Sequence, residues 1–459
     1  MSPANNLERF TQNLTQIDPA SAARVRLAKL FDEGTFVEID AFAMAMGDAG
    51  AVVTGYGMID GSTVFAFAQD SSSASGAVDK VHADKIKKVY SLATKTGAPV
   101  VGIYDSNGAS LANPADTMAA YGELLALSNN ISGVVPQVSV VVGPCVGSAA
   151  LIALGADFVV MSKNAEISLG VPAQGNAQTA AESGVAHIVT ETEDEAIAQA
   201  AKIISLLPSN NLSDAPEWDY VEAAGAQDVL TKAGENPCGS DIAEVVKSIA
   251  DDGSVVELQK DFGKGAYAAL ATIGGRAVGV AAAHGTLTSD ECAKLARLVS
   301  ICDAFSVPVV TLVNTDGFDA SAAGVRDAAR LAHVFAEATT AKVSLIAGKA
   351  YGGAYIALAG KGANADIVYA WPGAVISPLK PETAVAFLYS DRITADKTRE
   401  TVEAEYKENE ASAFAYAACG QVDTVINPAE TRAKLICALD MLSGKRVSTM
   451  PKKHGNIPM

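Results

Sequence analysis

The chain has 459 residues, 49% of them hydrophobic, and a formal net charge of −18. That charge opposes nucleic acid and anionic membranes through the overall field, so no nucleic-acid partner is expected and an anionic ligand needs a local pocket. The longest apolar runs break at Gly, Pro or a charge within about ten residues, short of the ~18–20 that cross a bilayer.

Residues 21–33 carry apolar positions at Val25, Leu27, Leu30 and Phe31, which predicts a short amphipathic helix stopped at Gly34. Thr35 to Asp40 then alternates like a strand. A Gly-rich hairpin follows, Gly55 to Gly61 and then Val64 to Ala68, and it leads to a helix predicted over Lys80 to Thr96. Gly97 is placed to cap that helix and Pro99 to prevent its continuation. The apolar strand Val100 to Tyr104 ends at Asp105-Ser106-Asn107-Gly108.

The second half repeats the first. A helix predicted from Asp290 to Phe305, with Ser289 as its N-cap, leads to Pro308 and the strand Val309 to Val313. That strand ends at Asn314-Thr315-Asp316-Gly317, and the two prolines stand 209 positions apart (308 − 99 = 209). The likeness continues: Val138 to Gly143 and Gly147-Ser148 answer Val343 to Gly348 and Gly352-Gly353 at a spacing of 205 (343 − 138 = 205), and Asp157 to Val160 answers Asp366 to Tyr369, again 209 apart (366 − 157 = 209). Strands apolar on both faces are those that helices cover. Each half is therefore a unit of roughly 230 residues, long enough for its own core. The boundary is placed at 235, giving domains 1–235 and 236–459, with the Asn-, Pro- and acid-rich stretch 208–239 as linker.

The six cysteines contain no C-x-x-C and the five histidines no H-x-x-x-H, spacings that argue against zinc. Met1 to Phe10 has neither a basic segment nor an apolar run, so a cytoplasmic location is expected. A high apolar content without a membrane span suggests burial between subunits, hence a homo-oligomer.

No phosphate loop, dinucleotide fingerprint or nucleophile elbow occurs. Ser377-Pro378-Leu379-Lys380 matches S-x-x-K, a tetrapeptide too short to mean much, and Cys145 reads as a packed thiol. What remains are four strand-to-helix turns where glycine gathers: Ser106 to Ala109, Gly143 to Ser148, Asp316-Gly317 and Gly348 to Ala354. Such turns leave backbone N–H groups pointing outward, and two aimed at one point form an oxyanion hole. The alternative is that these glycines only allow tight helix–strand packing.

Several motifs carry a family resemblance. Leu30 to Glu38, Val53 to Gly57, Gln69-Asp70, Lys95 to Val100, Gly143-Pro144-Cys145, Ser183 to His187, Leu206 to Asn211, Lys349 to Tyr355 and Ala370-Trp371-Pro372 resemble one family. It is the carboxyltransferase (β) subunits of biotin-dependent acyl-CoA carboxylases, with the α subunits of the sodium-pumping methylmalonyl-CoA and glutaconyl-CoA decarboxylases. The resemblance implies an α/β chain of two tandem crotonase-like domains (the ClpP/crotonase spiral), related by internal duplication. It implies acyl-CoA on the first domain, biotin on the second, and an active site between protomers of a homo-oligomer, a hexamer built from dimers.

By position, Gly108 and Ala109 would hold the thioester enolate, and Gly353 and Ala354 the biotin ureido oxygen. Asn107, Gly147, Ser148 and Tyr351 would line the substrate, and Ile356 would sense acyl size. Biotin would arrive on a biotin carboxyl carrier protein, with a biotin carboxylase or a membrane decarboxylase subunit as further partner and the chain peripheral to such a complex. The chain departs from the family at Asn107, Ser110, Ser148 and Asp316, where the family usually has Gly, Arg, Gly and Pro, and between Ser168 and Ser183, where it is shorter. Two other readings stay open: a crotonase-type CoA thioesterase or hydratase with Glu123 as base, and a catalytically weakened paralogue with a structural role.

Overall fold

A computed structural model describes residues 3–15, 17–43, 50–170, 175–363, 365–448, 450–451 and 456–458. The chain forms two compact units, Met1–Asp214 and Ala215–Met459. Residues 215–235, left with the first domain by a boundary at 235, belong to the second unit. There the Trp218 N–H donates to the Gly275 carbonyl at 2.8 Å. The stretch read as linker contains the helix Ala226–Glu235, which buries Leu230 and Ala233 in the second core.

The first sheet comprises β1 (Val37–Ile39), β2 (Val52–Ile59), β3 (Ser62–Gln69), β4 (Val100–Ser106), β5 (Gln137–Val146), β6 (Phe158–Ser162), β7 (Glu166–Ser168) and β8 (Ile188–Thr190). The second comprises β9 (Val256–Leu258), β10 (Ala266–Ile273), β11 (Arg276–Leu287), β12 (Val309–Phe318), β13 (Lys342–Tyr351), β14 (Ile367–Ala370), β15 (Val375–Ser377) and β16 (Thr424–Val425). Their orders match strand for strand: β1-β2-β3-β4-β5-β6-β8 with β7 on β5, and β9-β10-β11-β12-β13-β14-β16 with β15 on β13. An antiparallel hairpin opens each sheet, and the strands after it run parallel.

The helix Lys80–Thr96 forms as its spacing predicts. Asp79 accepts from the His82 amide, and Gly97 closes the helix at φ 65°. Its counterpart, Ser289–Ala304, is capped one residue earlier than expected. The Glu291 carboxylate accepts from the Thr288 amide at 2.8 Å and from its hydroxyl, a reciprocal cap. Ser289 is turned to the Asp327 carboxylate instead.

Each of these helices carries a buried lysine at the same register. Lys85 donates to the Val52 carbonyl at 2.5 Å, and Lys294 to the Phe262 and Ala266 carbonyls at 3.1 and 2.8 Å. A buried ammonium is tolerated only with such partners, and here it ties the helix to the opening hairpin. Valine, alanine and leucine fill the cores around the sheets, each fully buried Val or Leu adding roughly 1.5–3 kcal/mol.

Both sheets shift register at one corresponding place, between Tyr104 and Ser106 on β4 and between Val313 and Thr315 on β12. The last residues of β5 and β13 leave β6 and β14 and pair with β7 and β15. This departure carries the chain off the sheet into the turns that start the helices Ser148–Leu154 and Gly352–Ala359.

Candidate functional site

In the first unit, β4 ends at Ser106, a fully buried residue. Its hydroxyl donates to the Gly76 carbonyl at 2.6 Å and accepts from the Gly108 amide at 3.0 Å. Gly108 has φ 97°, and a Cβ there would lie 2.7 Å from the Val146 carbonyl oxygen, so only glycine fits. The Val78 N–H donates to the Gly108 carbonyl and the Ser110 N–H to the Val78 carbonyl, both at 2.9 Å. This bridge leaves the Ala109 N–H on the opposite edge, with no acceptor among the described residues.

Gly108 and Ala109, expected to hold the thioester enolate, thus differ in the state of their amides. The Gly108 amide is taken by Ser106, and Gly108 shapes the turn. Ala109 carries the open amide. Ser106 pairs with Cys145 across β4 and β5, which brings this turn beside Gly147. Gly147 (φ 66°) donates its amide to the Ser168 carbonyl at 2.8 Å and starts the helix Ser148–Leu154. The Ser148 and Ala149 amides stand in its first turn, where no intrahelical acceptor exists. The Asn107 side chain donates to the Ser75 carbonyl at 3.3 Å.

The second unit repeats this scheme. The Thr315 hydroxyl donates to the Gly285 carbonyl at 2.5 Å and accepts from the Gly317 amide at 3.1 Å. Thr315, Gly285 and Gly317 each stand 209 positions after Ser106, Gly76 and Gly108 (315 − 106 = 209). Gly352, at φ 56°, would bring a Cβ to 3.1 Å from the Pro378 carbonyl oxygen. Gly353 and Ala354 follow in the first turn of the helix Gly352–Ala359, their amides without intrahelical acceptors. Gly353 is exposed and Ala354 buried. Ile356, farther along the same helix, is 60% exposed and free to meet a ligand. The Tyr351 phenol is pushed up to about 12 by burial, with Glu382 and Asp316 adding to it.

Sequence reasoning missed the hydroxyls of Ser106 and Thr315, and the 209-residue repeat was the signal that could have found them. It also missed the residues beneath the turns. Asp105 accepts from Arg26 at 2.8 Å, and its counterpart Asn314 accepts from the Lys349 amide at 3.1 Å. A Cβ at Gly143 or at Gly348 would strike these side chains at 2.1 and 2.4 Å, which accounts for both glycines.

The side chains that suggest other chemistry are otherwise engaged. Cys145 is fully buried, and burial pushes its thiol up to about 12. Ser377 is buried and shares a 2.8 Å hydrogen bond with the Tyr406 hydroxyl. Glu123 lies on an exposed helix face, paired with Lys87. The described turns thus offer main-chain amides where charge can develop on an oxygen.

A family model described as the carboxyl transferase domain matches residues 20–457. The chain belongs to the carboxyl transferase family. It is a carboxyltransferase of the biotin-dependent acyl-CoA carboxylases and decarboxylases, with the two-domain crotonase-like fold. The methylmalonyl-CoA decarboxylase subunit alpha of Veillonella parvula is 37% identical over 478 residues, covering 95% of this chain and 93% of that protein. The propionyl-CoA carboxylase carboxyltransferase subunit of Haloferax mediterranei is 36% identical, with the same coverage. A crystal structure of transcarboxylase 12S, described as a hexamer assembly with methylmalonyl-coenzyme A and methylmalonic acid bound, matches with a TM-score of 0.92 at 31% identity over 100% of both chains. Among the described residues no helix is long and apolar enough to cross a membrane.

Proposed function

We propose that this carboxyltransferase moves a carboxyl group between a short acyl-CoA and biotin borne on a carrier protein, using main-chain amides of both units. The observation that carries this reading is the open amide at Ala109 in one unit and those at Gly353 and Ala354 in the other. The Ala109 amide, with Ser148 beside it, holds the thioester oxygen as the acyl α carbon becomes an enolate. The exposed Gly353 and the Ala354 amide suit a ureido oxygen, since neither presents a bulky side chain or another acceptor. Biotin supplies the nitrogen that carries the carboxyl group. Amides aimed in advance at a developing oxyanion contribute several kcal/mol each, because they do not reorganise during the reaction.

Short acyl groups are the substrate class, with Ile356 offering an apolar wall where a second carboxylate would need a cation. Methylmalonyl-CoA and propionyl-CoA are the pair to try first, given the ligand in the transcarboxylase structure. A biotin carboxyl carrier protein is the partner, and a biotin carboxylase or membrane decarboxylase subunit completes the cycle. Acyl-CoA on the first unit and biotin on the second imply a site completed between protomers of a dimer-based oligomer in the cytoplasm.

The test is carboxyl exchange between labelled methylmalonyl-CoA and biotin. Gly353→Pro removes one amide at a helix position that accepts proline. Exchange is expected to fall about a hundredfold or more, with acyl-CoA binding retained. Wild-type protein that exchanges with no short acyl-CoA would overturn the reading.

A further inference from the structure

The two turns share a hydrogen-bond scheme but differ in charge. Asn107 of the first unit corresponds to Asp316 of the second (316 − 107 = 209). Asn107 directs both its amides at the Ser75 carbonyl, at 3.1 and 3.3 Å. Asp316 instead reaches the end of the neighbouring strand, where its carboxylate accepts from the Lys349 ammonium at 3.0 Å. Ser106 pairs with Cys145 and Thr315 with Ala350, so along β5 and β13 the spacing is 205 and the position matching Lys349 is Pro144 (349 − 144 = 205); the first unit has no such pair.

Both partners are anchored through their main chains. The Lys349 amide donates to Asn314 Oδ1 at 3.1 Å, and Asp316 sits between Thr315, whose hydroxyl is bonded on two sides, and Gly317 at φ 113°. The turn lies against the start of the helix that carries the open amides. A Cβ at Gly317 would be 3.9 Å from the Tyr351 carbonyl oxygen, and one at Gly353 would be 3.7 Å from the Phe318 ring. The pair is partly open to solvent, Lys349 at 39% and Asp316 at 26%. Among the described residues, Tyr351, Glu382 and Cys238 also lie close to it.

Carboxyl transfer from an acyl-CoA breaks the bond between the carboxyl carbon and the α carbon. The electron pair passes into the thioester enolate and the carboxyl carbon leaves as neutral CO2, which forms a bond to the biotin nitrogen while that nitrogen's proton passes to the α carbon. A free cation beside that carboxylate would stabilise the ground state more than the transition state, which slows the step. We propose that Asp316 is a positioning residue: it holds Lys349 in an internal ion pair beside the Gly353 turn and so keeps that cation from capturing the carboxylate in transit. This rests on the carboxyl-transfer reading above.

The test compares the dissociation constants of methylmalonyl-CoA and propionyl-CoA by isothermal titration, using the full chain in its native oligomer. The ratio of the two isolates the contribution of the carboxylate. Asp316→Asn is expected to shift the ratio about fivefold toward methylmalonyl-CoA, the range of an exposed ion pair. That shift should shrink in 0.5 M salt, roughly a 4 Å screening length, and exchange should show a lower KM together with a lower kcat. Lys349→Met leaves Asp316 bare and is expected to move the ratio about fivefold the other way. A ratio unchanged in both variants would overturn the role of the pair. Wild-type protein that binds neither CoA ester would instead refute the carboxyl-transfer reading, so the two failures are distinguishable.

Discussion

Beneath the first turn lies a charged floor, and beneath the second a neutral one. Arg26, 6% exposed, donates to Asp105 at 2.8 Å, to the Gln69 carbonyl at 2.6 Å and to both oxygens of Glu193 at 2.9 and 3.0 Å. In the second unit Asn314 accepts from the Lys349 amide at 3.1 Å and donates to the Pro237 carbonyl at 2.9 Å, with a His284 ring nitrogen at 3.4 Å. Both floors support the same backbone scheme above them. The comparison teaches that the turn needs a saturated polar side chain at this position and a glycine opposite it, and that the charge is secondary.

Breaking the charged floor should have the largest effect. Arg26→Met leaves Asp105 and Glu193 without their cation and is expected to cost about 3–5 kcal/mol in chemical denaturation at pH 7. Asn314→Asp sets a carboxylate against the Pro237 carbonyl and should cost less, about 1–3 kcal/mol. Equal losses would undo the distinction between the floors.

The shared scheme can be sharpened by removing its hydroxyls. Ser106→Ala and Thr315→Val each leave a glycine amide without its acceptor, buried at Gly108 and half-buried at Gly317, an expected loss of about 1–3 kcal/mol. The two losses should agree within about 1 kcal/mol, and clearly unequal midpoints would mean that the hydroxyls do different work in the two halves.

The last effect is a pH slope from the second unit. Burial pushes the Lys294 and Lys342 ammonium groups down to about 8. Between pH 8 and the usual lysine range the unfolded chain holds protons that the native state has released. Each lysine therefore adds stability as pH rises through that window, at up to about 1.4 kcal/mol per pH unit. Below pH 8 its penalty is constant. Lys294→Met should flatten the stability profile between pH 8 and 10, and an unchanged slope would show that Lys294 does not release its proton there.

Much of the fold was legible in the residues. Gly97 and Pro99 mark one helix end and strand start, and the repeat carries the reading to Pro308. The glycine turns were visible because left-handed backbone at Gly108, Gly317 and Gly352 excludes other residues. The partner of each amide was not visible. That Gly108 donates to Ser106 while Ala109 stays open depends on Val78, a residue 31 positions earlier (109 − 78 = 31). The Asn-, Pro- and acid-rich stretch looked like a linker because Leu230 and Ala233 are sparse signals, and the core that receives them belongs to distant strands.

By itself the amino-acid order determined the duplication, the strand-to-helix turns and the family. These depend on local rules: glycine where φ is positive, proline where a helix must stop, apolar runs where helices cover a sheet. Only the tertiary structure decided which amides stay open, which floor is charged, and that Asp316 faces Lys349. Those outcomes depend on pairings between strands far apart in the chain, where a hydrogen bond goes to whichever partner packing brings within about 3 Å.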